Sequence, residues 1–441
     1  MQNNNLILAD FPSIKSKKVS VTFDEPQVTS DAGVLLLRQV DERLKLIATL
    51  ARTIKDGRQA GKIDHALVEM LRQRIFQIAC GYPDANDADR LRSDPAFKTA
   101  AGRDPQTDPD LASQPTLSRL ENTVTTKDLL RIFYFFIDQF IASYATPPKR
   151  IILDMDPTAD TVYGHQQLAL FNAFEDEYCF MPFHVYEGRT GKFITAVLRP
   201  GKTPTAAEIL ALLKRIVRRV RRTWPKVRIV FRGDSHHTKP EAMDWMEAHK
   251  VDFITGLTPN VKLDRRMARV AAATRRTWRQ TGLTVRRYAE IRYAAGTWRC
   301  RRRVICRILV SDKGTDTRYI VTSFLHGTPQ KLYDKTYCGR GKVELMIKDH
   351  KIALASDRTS CHRKEANQLR LFLHSAAYVI MHALRAGLAG TLLARAQFDT
   401  LRLALLKIGG RLRVMSNQLR FHLPASCPHQ ELFVRLAVNT T

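Results

Sequence analysis

With 441 residues and 44% hydrophobic content, the chain has the material for a buried core and the length for about two to four domains. Its formal charge of +28, from 71 Lys+Arg against 43 Asp+Glu, exceeds what solubility needs. It points to a polyanionic partner, nucleic acid first, because each phosphate neutralised by Lys or Arg releases counterions. No run of about 18 apolar residues predicts a membrane span, and the opening MQNNNLILADFPSIKSKK lacks the order of a signal peptide, so a soluble cytoplasmic protein is expected. The cysteines (Cys80, Cys179, Cys300, Cys306, Cys338, Cys361, Cys427) are odd in number, scattered and without a CxxC pair, which argues against disulfides and structural zinc.

Residues 1–149 read as mainly helical. HALVEMLRQRIFQIACGY repeats Leu67, Met70, Leu71, Ile75 and Ile78 at helical spacing before a Gly-Tyr-Pro stop. The acids of PDANDADRLRSDPAFK lack EF-hand spacing and read as turn and cap residues. The pattern changes at residue 150. RIILDMD (150–156) predicts a strand, and CFMPFHVYEG (179–188) with KFITAVLRPG (192–201) predicts a hairpin. AAEILALLKRIVRRVRRTW predicts a helix with Ile209, Leu213, Ile216, Val217 and Val220 on one face and six basic residues elsewhere. A strand (227–234), a helix and a strand (252–257) follow, an alternation that predicts an α/β layer on a mixed sheet. Residues 258–316 are the most basic stretch and read as an insertion whose second half alternates like strands; TRYIVTS (317–323) reads as the return to the sheet. The expected parts are therefore 1–149, 150–257, 258–316, 317–390 and a helix/strand region at 391–441.

Asp154 and Asp156 end an apolar strand at same-face spacing, and Asp234 ends another. Singly, such an acid begins a turn or caps a helix. Together, in so basic a chain, they are oxygen donors suited to Mg²⁺. In YCGRGKVELMIKDHK (337–351), Tyr337, Arg340, Glu344, Lys348 and Lys351 share a stripe if a helix runs throughout, although Gly339 and Gly341 argue against its first turn. Glu344 before Lys348 is also the favoured i,i+4 pair, worth about 0.3–0.5 kcal/mol. Glu344 is thus either a solvated salt-bridge partner or a third carboxylate. GRGK (339–342) lacks the spacing of a phosphate loop, and His362, His374 and His382 near Cys361 read as core or surface groups.

The spacing Tyr337, Arg340, Glu344, Lys351 resembles the signature of the YREK branch of bacterial insertion-sequence DDE transposases, and within it the "thirteen-eighty" insertion-sequence family. DMDPT (154–158) and FRGDS (231–235) resemble that group's two aspartate strands. DRTSCHRKEANQLRLFLHSAAY (357–378) resembles the segment after its glutamate, and LASQPTLSRLEN (111–122) a piece of its amino-terminal domain. The similarity covers most of residues 20–390. Pro157 departs from the pattern, as do His236 and His237, which read as groups backing the aspartate or, the favoured reading, as surface histidines.

The resemblance implies an α/β fold: an RNase H-like mixed sheet flanked by helices, interrupted by the basic β-rich insertion, behind a mainly helical N-terminal DNA-binding domain. It implies a transposase that cleaves insertion-sequence DNA ends and transfers strands, cut and paste. Asp156, Asp234 and Glu344 would hold two Mg²⁺ ions, with Mn²⁺ as a substitute. Tyr337, Arg340 and Lys351 would grip phosphates, with Lys348 and Arg358 added to the DNA-contacting set. Trp298, in the basic β-type segment, either stacks on a flipped base or packs in the insertion's own core, and Trp278 competes for the stacking role. The implied partners are double-stranded DNA, as terminal inverted repeats and target, and a second copy of the chain in a homodimer on DNA. The implied location is the bacterial cytoplasm, at the nucleoid. Two alternatives are a DNA-binding regulator that has lost catalysis and a structure-specific RNase H-like nuclease. Retention of all three acids argues against the first, and the long basic insertion argues against the second.

Overall fold

The computed structural model describes residues 10–438. Eight strands form its central sheet: β1 (Arg150–Pro157), β2 (Phe183–Glu187), β3 (Phe193–Val197), β4 (Arg228–Gly233), β5 (Val251–Leu257), β6 (Val285–Tyr293), β7 (Arg302–Ser311) and β8 (Gly314–Thr322). Their order is β6-β7-β8-β5-β4-β1-β2-β3. β4 runs parallel to β1 and β5, and every other neighbouring pair is antiparallel. The central strands are almost continuously apolar because helices cover both faces: Ile151, Leu153, Met155, Ile229 and Phe231 are all fully buried.

The parallel pairs require crossovers. Helix Ala206–Thr223 leads into β4. Its start is fixed by a capping box in which Thr205 and Glu208 bond each other's backbone N–H, and its apolar face is buried while the arginines stay outside. Helix Pro240–Ala248 carries the chain from β4 to β5. The basic stretch after β5 is half helix and half sheet. Helix Val261–Thr281 is capped by Asn260 and ended by Gly282 at φ 66°, and it packs on β6 and β7. Those two strands continue the central sheet through β8 and form no layer of their own.

The helices of the first 149 residues, among them Val34–Leu44, Leu67–Ala79, Gln114–Thr123 and Thr126–Ala142, share one hydrophobic core with the sheet. Helix Lys364–Ala386 joins the two. It is buried nearly all round because helix Leu67–Ala79 and β3 both pack on it. Far ends of the chain also meet, since Val28–Thr29 pairs with strand Gly410–Met415, which in turn forms a hairpin with Gln418–His422.

Between β1 and β2, a small three-stranded sheet (Asp160–Thr161, Leu170–Asn172, Glu177–Phe180) occupies the loop. Residues 329–353 form one continuous helical run. It contains wide π-type turns at Leu332–Tyr337 and Asp349–Ala353, a tight turn at Cys338–Arg340 and α-helix at Gly341–Lys348. The glycines that argued for a break do not make one. A Cβ on Gly339 would lie 2.6 Å from Arg232 Nη1, so this glycine allows a close approach to the sheet. Among the described residues, no helix is long and apolar enough to cross a membrane.

Candidate active site

The site is built on two successive rungs between β1 and β4. The parallel register sets Asp154 beside Arg232. Arg232 donates from Nε and Nη2 to the two carboxylate oxygens of Asp154, at 2.6 and 2.5 Å, and from Nη1 to the Thr336 carbonyl at 2.8 Å. Both side chains are buried. Burial raises the Asp154 carboxyl above its ordinary range, and Arg232 pulls against that shift. A Cβ on Gly188 would stand 2.3 Å from both Arg232 Nη2 and Asp154 Oδ2, so glycine at 188 makes room for the pair. Asp154 is therefore fully engaged, and Arg232 ties the sheet to the helical run that follows β8.

One rung further along lie Asp156 and Asp234. Asp156 faces His184 across β2. Asp234 caps the turn Ser235–His237, accepting from His236 N at 2.9 Å, while His236 Nδ1 and His237 Nδ1 stand 3.0 and 2.7 Å from its carboxylate oxygens. His237 is not the surface residue expected. It is fully buried, with its ring against Phe183 and Phe231 and packed where a Cβ on Gly233 would be. Burial pushes the Asp234 carboxyl up, but the hydrogen bond and charge of His237 and the charge of His236 outweigh it and hold the group well below the usual carboxylate range. Asp156 behaves oppositely. Burial raises it, Arg340 pulls it down and the charge of Asp234 pushes it up again, leaving it above its ordinary value. The charge of Asp234 thus acts on Asp156 against the pull of Arg340.

The helical run brings its side chains over this pair. The Tyr337 hydroxyl lies in the space a Cβ on Gly256 would need, beside the backbone of Asp234 and Ser235. Arg340 Nη1 is 3.1 Å from Asp156 Oδ1. Burial works against the Arg340 charge, but Asp156, Tyr337, Asp234 and Glu344 together favour it and raise the group further. Glu344 follows Arg340 by one helical turn and is exposed. Among the described residues it makes no hydrogen bond or ion pair, so the Glu344–Lys348 bridge that the spacing allows is not formed, and Lys348 is likewise exposed.

The remaining candidates are placed differently. Lys351 turns to the loop after β1, where Nζ donates to the Ala159 carbonyl and stands 3.9 Å from buried Asp160. Arg358 is exposed, 3.6 Å from Asp84. Trp298 is partly buried in the β6–β7 hairpin, edge-to-face with Tyr293 at 5.7 Å and under the Arg302 guanidinium. Arg303 pairs with Thr322 and Thr322 with Ile254, so this hairpin lies toward the start of β5, away from the carboxyl end of β4 that bears Asp234. The structure thus brings Arg340 to Asp156 and the Tyr337 hydroxyl to the backbone of Asp234, leaves Glu344 exposed one helical turn beyond Arg340, and brings neither Trp298 nor Arg358 to them. Trp278 is partly buried on helix Val261–Thr281. The helix containing LSRLEN buries Leu117, Leu120 and Glu121.

Nothing in the sequence pattern marks Gly188 or assigns Arg232 a partner, and His237 reads there as a surface group. The one signal available for Arg232 was a charge inside the apolar strand VRIVFRG.

Among the described residues, no three His, Cys, Asp or Glu side chains form a group that could hold a metal ion. Asp156 and Asp234 are carboxylate oxygen donors, the type Mg²⁺ takes, and Glu344 is an exposed carboxylate one helical turn beyond Arg340. The cation in contact with Asp156 is the Arg340 guanidinium.

The family model for the transposase DDE domain, group 1, matches residues 11–440. No curated protein matches the chain. Among solved structures, the chain is similar to the piggyBac transposase in a synaptic complex with hairpin DNA, seen by cryo-electron microscopy. Identity is 12%, 86% of this chain and 80% of that one are covered, and the TM-score is 0.45. The family match spans nearly the whole sequence, and on that ground the chain belongs to the DDE transposases of domain group 1.

Proposed function

We propose that the chain is an insertion-sequence transposase of the YREK branch, which cuts the ends of its element and joins them to target DNA in a Mg²⁺-dependent reaction on an RNase H-like core. The observation that carries this reading is the convergence of Asp156, Asp234 and Arg340 at the carboxyl ends of β1 and β4, with the unpaired Glu344 one helical turn beyond. The strand order β3-β2-β1-β4-β5, with β1, β4 and β5 parallel and β2 antiparallel, supports the RNase H-like assignment.

In this reading Asp156, Asp234 and Glu344 hold the metal. Two bound Mg²⁺ ions would supply an activated water or 3′-hydroxyl and charge stabilisation for the leaving oxygen. The chain's own part is positional. His236 and His237 keep Asp234 ionised and fix its rotamer. Arg232 anchors the helical run to the sheet, and so places Glu344. Tyr337 and Arg340 border the carboxylates where a scissile phosphate would lie, Arg340 offering a planar fork of donors. Lys351, Lys348 and Arg358 extend a positive margin for the flanking backbone, and a homodimer on DNA would present two such sites to the two element ends. The protein would work in the bacterial cytoplasm at the nucleoid. The proposed contact between Trp298 and an extruded base finds no support in its position.

The test is direct. Purified protein with Mg²⁺ should cut duplex DNA bearing the element's terminal repeats, while Glu344→Gln should bind those ends with unchanged affinity and leave them uncut. Equal cutting by the variant would remove Glu344 from the site.

A further inference from the structure

The two arginine–aspartate contacts on neighbouring rungs are made differently. Arg232 meets Asp154 with two hydrogen bonds and spends its third nitrogen on the Thr336 carbonyl. Arg340 meets Asp156 through a single nitrogen at 3.1 Å. That nitrogen, Nη1, is buried and makes no well-formed hydrogen bond despite the short distance. A buried donor whose hydrogen bond is poorly formed costs free energy, so Arg340 holds Asp156 chiefly by charge, with only a minor hydrogen-bonding part. Its surroundings are anionic on every side that matters: Asp156 directly, Asp234 beside it and Glu344 one turn along the same helical run. A guanidinium and a divalent cation cannot both use the same face of the Asp156 carboxylate.

We propose that Arg340 is a built-in counter-ion, occupying the cation's place at Asp156 until a DNA phosphate offers the guanidinium its missing hydrogen bonds, so that DNA binding and divalent-metal binding are coupled through this one side chain. The inference rests on the assignment of Asp156 as a metal ligand. A phosphate is the natural rival because it accepts two parallel N–H bonds from the fork, which Asp156 in its present position does not. Coupling of this kind is reciprocal: whatever the metal gains from DNA, DNA gains from the metal.

The experiment titrates Mn²⁺ alone into the DNA-free full chain by calorimetry. Arg340→Ala should bind Mn²⁺ about tenfold tighter than wild type, within the usual range of coupling between sites. The control is Arg318→Ala. It removes a charge that also reaches Tyr337 and is paired with Asp316, and it should shift Mn²⁺ affinity less than about threefold. If Arg340→Ala does not fold, Arg340→Gln takes its place with the same expected shift. In a second arm, Ca²⁺ should tighten binding of a terminal-repeat duplex by wild type and leave that of the Arg340 variant unchanged. Mn²⁺ affinity in the Arg340 variant equal to or below wild type overturns the proposal, as does an Arg318→Ala shift of the same size. Asp156→Asn separates the two layers: if it keeps wild-type Mn²⁺ binding, the metal assignment itself has failed.

Discussion

Asp154 and Asp156 are two residues apart on one strand and face the same side, yet they live in different chemistry. The inner carboxylate is sealed, with two donors from Arg232, a glycine cut away above it at 188 and no solvent. The outer one has a single ion-pair contact, to Arg340, and feels the repelling charge of Asp234. The difference shows how a fold assigns roles to identical side chains. A buried pair with complete hydrogen bonding is mechanical, and an incompletely satisfied one keeps a free energy of exchange available for ligands.

The sharpest way to break this contrast is at the inner rung. Arg232→Met should lower unfolding free energy by about 3–5 kcal/mol, because it leaves Asp154 buried and unpaired. Adding Asp154→Leu to the same chain should restore most of the loss, as chemical denaturation would show.

Exchange of roles is tested next. Asp156→Asn should reduce DNA cleavage about a thousandfold, roughly 4 kcal/mol of transition-state stabilisation, while moving the denaturation midpoint little. Asp154→Asn should do the reverse, with cleavage retained by the folded fraction. If both variants were equally inactive and equally stable, the division between rungs would be wrong.

Smaller effects sharpen the picture beneath the outer rung. His184 lies across from Asp156 with neither ring nitrogen bonded, and burial lowers it to about 3. A His depressed in the folded state stabilises the protein fully above its unfolded value near 6.5, and that contribution disappears as pH falls toward 3. His350, in edge contact with it, is also depressed by burial and adds to the same acid sensitivity. His184→Phe should therefore gain about 1.4 kcal/mol on wild type between pH 7.5 and 5.5, read from midpoints at the two pH values. The smallest change is expected at Arg358. Its exposed pair with Asp84 contributes under about 0.5 kcal/mol to stability, so Arg358→Ala should alter only the salt dependence of DNA binding, by a slope of about 1.

Much of this architecture was legible in the residues. Apolar runs ending in acids gave β1 and β4, the hairpin of β2 and β3 followed from its turn, and amphipathic spacing gave helix Ala206–Thr223. The stripe of Tyr337, Arg340 and Glu344 was visible as spacing. What spacing cannot carry is the identity of partners distant in sequence. Arg232 reads as a charge in a strand until Asp154 and Thr336 are brought to it, and His237 as a surface residue until Phe183 and Phe231 close around its ring. Gly339 looked like a helix breaker because local propensity weighs against glycine; the decisive term was the approach of Arg232, from another element. Glu344 offered a favourable local pair with Lys348 that the folded chain does not use.

The pairing of Val28–Thr29 with Gly410–Met415 bears on how the protein is made. Beside it, the Ala32 amide reaches the Ile408 carbonyl and Lys407 reaches Asp31, so the start of the helical layer is completed by residues synthesised some 380 positions later. At ordinary elongation rates that wait is roughly 20–80 s. During it the nascent amino-terminal segment lacks its strand partner, and the seam can close only after residues 407–415 have been made.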